Sequence, residues 1–108
     1  MAIKGAIHRL AIDVSATGAG TEGIVEGIAG KVIQVLSLFV TSELDANIKF
    51  QSGSTDLSGV VYLAARGGMV IAHQPFAIFQ TADGENFNMY RTATGNFGGS
   101  IVYVQGEL

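Results

Sequence analysis

The sequence has 108 residues, 48% of them hydrophobic and only 14% charged, with a net charge of −3 and no cysteine. An average globular chain carries roughly 25% charged residues, so part of the apolar surface is expected to lie against other copies or another protein. The acidic balance and the scatter of Lys4, Arg9, Lys31, Lys49, Arg66 and Arg91 exclude nucleic acid as the main partner, and the absence of cysteine excludes a disulfide framework, a thiolate zinc site and a thiol nucleophile.

The length fits one domain spanning residues 1–108. MAIKGAIHR precedes the first well-patterned strand, and residues 1–8 form a candidate N-terminal arm. That arm and the residue after it offer Ile3, Lys4, His8 and Arg9 for contact with a partner. The segment has no continuous apolar core and no cleavage site of the kind a signal peptide carries. VIQVLSLFV, the most apolar run, is broken by Gln34 and Ser37 and falls short of the roughly 20 residues that a membrane helix needs. A soluble protein without a membrane partner is expected.

In HRLAIDVS, Leu10, Ile12 and Val14 share one face and Arg9 and Asp13 the other, the period of a strand. ATGAGTEG reads as a loop, and GIVEGIAGK as a brief strand and a turn. KVIQVLSLFVTS is the longest expected strand. Strict alternation places Val32, Gln34, Leu36, Leu38 and Val40 on one face, and Ile33, Val35, Ser37, Phe39 and Thr41 on the other. Both faces are mainly apolar, so the strand should be central and covered on both sides, once by its own domain and once by a neighbour. The candidate self-association residues are Ile33, Val35, Ser37 and Phe39, with the opposite face of the strand nearly as good a candidate.

NIKFQ follows with Ile48 and Phe50 inward, and SGSTDLSG is the corner that leads to VVYLAA. In ARGG, Gly67 and Gly68 suit positive φ; MVIAH comes next, and Pro75 marks an edge or bend at the start of QPFAIFQT. The Asp-Gly of ADGEN is a hairpin signal, and NFNMYRTA and GGSIVYVQ are the last strands. About eight strands with frequent turn signals and no helix predict an all-β fold, an antiparallel β-sandwich, jelly roll or small barrel.

No pattern carries chemistry. GAGTEG matches a dinucleotide-binding G-x-G-x-x-G, but the helix that must follow is broken by glycines. GIAGKV lacks two defining positions of a phosphate loop, and GST at 53–55 lacks the last glycine of a serine elbow. His8 and His73 have no metal-ligand spacing, and the acids lie mainly in turns without a calcium-loop pattern. No catalytic, cofactor-binding or metal-ligating residue is assigned, and no enzyme activity is expected. A jelly-roll enzyme would need His8 or His73 to meet two carboxylates or a metal in one cavity.

GIAGKVIQVLSLFV, ANIKFQSGSTDLSG and LAARGGMVIAHQPFAIFQTADGENFNMY together resemble a group of small structural proteins encoded in tailed-phage genomes, over roughly residues 24–104. The resemblance implies a jelly-roll-like β-sandwich with a virion role and no catalytic residues. Its most specific implication is a homotrimeric capsid decoration (cement) protein on the major capsid lattice. A virion location is implied, on the capsid surface or on the tail. The alternative is a tail, baseplate or fibre component that recognises a host glycan. That reading requires Tyr62, Tyr90 or Tyr103 to cluster with Asp83, Asn86 and Asn88 in an open groove.

Overall fold

A computed structural model of the chain describes residues 5–73, 77–92 and 94–107. The described residues form ten strands: β1 (Ile7–Ala16), β2 (Gly20–Val25), β3 (Val32–Ser42), β4 (Ala46–Ser52), β5 (Thr55–Asp56), β6 (Val61–Leu63), β7 (Gly68–Ile71), β8 (Phe79–Gln80), β9 (Phe87–Arg91) and β10 (Gly95–Gly106). None of these residues is helical. One sheet runs β1-β10-β3-β7, with β8 also on β3; the other runs β2-β9-β4-β5, with β6 also on β4. All pairings are antiparallel. If β5 with β6 and β7 with β8 are each taken as one interrupted strand, eight strands remain, in the order of a jelly roll. The expected fold class is the one observed.

The two sheets meet through alternate residues. Ile12, Val14, Val35, Val40 and Ile101 of the first face Ile48, Phe50, Phe87 and Met89 of the second in one buried cluster. Phe50 lies at its centre, with ring centroids 5.6 Å from both Phe79 and Phe87.

Several expectations need correction. β2 starts at Gly20, inside the stretch read as a loop, because only Thr17 to Ala19 are needed to turn from β1. Positive φ in the ARGG turn falls on Arg66 (φ 62°) rather than on a glycine; its N–H donates to the Ser42 carbonyl at 2.7 Å. The Asp-Gly turn closes no hairpin, since β8 pairs with β3 while β9 pairs with β2 and β4. It carries the chain from one sheet to the other.

The corner after β4 is itself a hairpin that the sequence did not announce. Ser52 pairs with Thr55 across Gly53 and Ser54, and Gly53 stands at φ +57°, as a two-residue loop with glycine first requires. Gly99 of β10 has a different role. A Cβ there would lie 2.0 Å from the Phe39 carbonyl oxygen, so only glycine lets β10 lie this close to β3.

The largest correction concerns β3. Val102 pairs with Ser37 but Tyr103 pairs with Val35, so Leu36 is an extra residue, a β-bulge. The inward face therefore changes from Ile33 and Val35 before the bulge to Leu38 and Val40 after it. Strict alternation through the whole strand put Ile33, Val35, Ser37 and Phe39 together, and they are not together. Ile33 and Val35 are fully buried within the sandwich, whereas Phe39 is 46% exposed.

Candidate interaction surface

The bulge gives the first sheet an outer face of unusual character. Val70 of β7 pairs with Phe39 of β3, Phe39 with Ser100 of β10, and Ser100 with Ala11 of β1. One row along, Ser37 pairs with Val102 and Val102 with Arg9. Arg9, Phe39, Val70, His73 and Val102 line one shallow groove across this face. Val70 is 78% exposed, so the most apolar part of the patch is also its most open part. An exposed Phe flanked by valines and small serines is a flat, easily desolvated surface, suited to contact with protein. Val70 and Val102 were not singled out in the sequence. The period-2 pattern of MVI and IVYV contains them, but their place beside Phe39 depends on the bulge.

The remaining arm residues are partly accounted for. Ile3 and Lys4 lie outside the described residues, as does Pro75. Ile7 and His8 already belong to β1, opposite Val104 and Tyr103, so the strand begins inside the segment expected to be an arm. The His8 ring stacks on Tyr103 at 5.4 Å.

The outer face of the second sheet is polar. Asp56 accepts hydrogen bonds from Gln51 Nε2 at 2.8 Å and from Lys49 Nζ at 3.1 Å, and the Lys49 ammonium stands over the Tyr90 ring at 5.5 Å. The Gln51 hydrogen bond, then that of Lys49 and its charge, hold the Asp56 carboxyl below its ordinary 3.8. A depressed pKa means that the folded state binds this proton less readily than the unfolded chain. The stabilisation is therefore present above the ordinary carboxylate value and is lost as pH falls through the folded one. Asp56→Asn should flatten the acid limb of a stability-against-pH curve below that value and leave neutral-pH activity in assembly assays unchanged; an identical acid limb in the variant would refute the assignment.

The groove required for a glycan does not assemble from the residues named for it. Tyr103 belongs to the other sheet, and Tyr90 has its ring under Lys49. Asp83 Oδ1 accepts from the Gly30 N–H at 2.9 Å and Asn86 Oδ1 from the Gly27 N–H at 2.6 Å, so both acceptors hold the crossover loops together. Asn88 Nδ2 donates to the Gly53 carbonyl at 2.9 Å. Tyr62, 77% exposed, is the one open ring of the three. Among the described residues, no hydrogen bond or ion pair joins either histidine to a carboxylate, and no group of three His, Cys, Asp or Glu could hold a metal ion.

No family model matches the chain, and no curated protein matches it. Among solved structures it is similar to a chain of the Bacillus endospore appendages, described as a novel family of disulfide-linked pili. That likeness has a TM-score of 0.58 at 15% identity and covers 100% of this chain and 92% of the other. It shows a common fold. This chain has no cysteine with which to form the links for which those pili are described.

Proposed function

We propose that this chain is a non-enzymatic structural subunit that acts by self-association and by docking on a larger protein assembly. In its most specific form it is a homotrimeric decoration protein on the outer surface of a tailed-phage capsid, bound to the major capsid protein. The observation that carries the reading is the exposed Phe39–Val70 pair on an outer sheet face of a chain with only 14% charged residues. Such a face gains free energy by being covered. The resemblance to phage structural proteins supplies the setting. Many copies on a lattice add modest contacts through multivalency.

Phe39→Asp tests this directly. The variant should keep the wild-type melting temperature but lose co-sedimentation with capsids stripped of this protein. Wild-type protein that stays monomeric and ignores such capsids would overturn the reading. A second reading, a subunit of an extracellular appendage, is favoured by the full-length likeness to the pilus chain. Its contacts would be non-covalent, and purified protein would then grow filaments visible by electron microscopy without any capsid.

A further inference from the structure

Of the sheet edges, β1 differs from all the others. Among the described residues it pairs with β10 alone, in unbroken register over all ten of its residues, from Ile7 opposite Val104 to Ala16 opposite Gly95. It contains no proline and no bulge. Every second residue therefore turns an unpaired N–H and C=O outward. The other edges are blunted. β5 and β8 have two residues each, β6 three and β7 four, and β2 has six with a register shift between Gly23 and Val25. Ile7 (65%) and Leu10 (40%) are exposed along β1 beside the exposed Arg9 and Asp13, so the unpaired edge carries both apolar and charged side chains.

We propose that β1 is the site at which two copies of this chain join, by pairing β1 with β1 antiparallel across a twofold axis. This rests on reading the chain as a self-associating subunit, and it names the surface. No other edge offers a strand of matching length, so the partner that fits β1 is β1 itself. The contact is then isologous.

Physical rules also fix the register. The faces of the two sheets must stay continuous, so residues of like parity must stand opposite one another; a slip of one residue would turn apolar side chains to solvent. With Ala11 on the axis, Arg9 of each copy faces Asp13 of the other, and Leu10 faces Ile12. Arg9 and Asp13 lie on the same outward face, both exposed, and neither belongs to the ion pairs of the described residues, Lys49–Asp56 and Arg91–Glu22. A slip of two residues sets Arg9 against Ala11 or Ser15 and loses both ion pairs. Charge complementarity therefore selects the Ala11-centred register. The joined sheet would run β7-β3-β10-β1 and then the same strands in reverse, with the Phe39 faces side by side and still open. The twofold uses only this edge and leaves the other surfaces free for a threefold contact.

A charge-swap and a cross-link test the proposal. Arg9→Asp places like charges opposite each other twice, and should weaken pairing about tenfold to a hundredfold. In sedimentation equilibrium well above the wild-type dissociation constant, the mean mass should fall from near that of the pair toward that of the single chain, while the melting curve of the separated chains is unchanged. Arg9→Asp with Asp13→Arg should restore the wild-type mass. Separately, Ala11→Cys should give a disulfide-linked pair on mild oxidation, because directly opposed strand residues have Cα atoms about 4.5–5.5 Å apart, within disulfide reach. Ser54→Cys, at the tip of the β4–β5 hairpin, should not. The proposal fails if Arg9→Asp keeps the full mass, if the double variant stays dissociated although folded, or if Ala11→Cys links no better than Ser54→Cys. Failure of this kind in a protein that still assembles and binds capsids would reject the β1 contact and leave the structural role standing.

Discussion

Val35→Asp should leave the chain unfolded, while Lys49→Asp should fold with a small loss of stability. Val35 is fully buried between the sheets, in the cluster with Phe50 and Phe87. A carboxylate there would be an unpaired buried charge, a defect of roughly 3–5 kcal/mol or more. Total stabilities are only about 5–15 kcal/mol, so this one change removes much or all of the margin. Lys49 is half-exposed, and its ion pair with Asp56, at 3.1 Å, is open to solvent. Its loss costs little, as for other solvent-screened surface ion pairs. Far-UV circular dichroism and thermal melts separate the outcomes. If Val35→Asp folded normally and failed only to assemble, Val35 would be an interface residue, and the position of the bulge in β3 would be wrong.

Phe50→Ala should lower stability by about 3–5 kcal/mol, the range for deleting a buried phenyl ring. For a domain of this size that corresponds to a fall in melting temperature of about 15–30 °C. The ring is fully buried and packs on Phe79 and Phe87, which come from different segments of the chain. Neither neighbour can close the void without moving its own strand. Phe50→Leu should recover most of the loss, since it keeps much of the volume. Phe39→Ala, on the outer face, should hardly shift the melt. A Phe50→Ala melt within a few degrees of wild type would contradict the packing described.

These contrasts show how far the sequence could be read. Period-2 patterning placed β1, β3, β4, β9 and β10 close to where they lie, and it put Ile48 and Phe50 inward, because a half-buried strand must alternate. The spacing of the turns gave an all-β sandwich, jelly roll or small barrel, and the strand order decided among them. The candidate interaction surface was legible only in part. Phe39 was chosen correctly as an outward residue, but it was grouped with Ile33 and Val35, which lie in the core. A bulge depends on how two strands pair, and β3 finds its partner β10 more than fifty residues later in the chain. Nothing local to VIQVLSLFV marks Leu36 as the extra residue. The crossover loops were hidden in the same way, since Asp83 and Asn86 bond to glycines far away in sequence.

By itself, then, the sequence determined an all-β, charge-poor domain without disulfides, since composition and alternation are properties of the chain alone. Tertiary structure decided which apolar side chains stay exposed. Long-range pairing set the bulge that turns Phe39 outward, and the strand order left β1, among the described residues, as a long edge paired on one side only, with Arg9 and Asp13 along it.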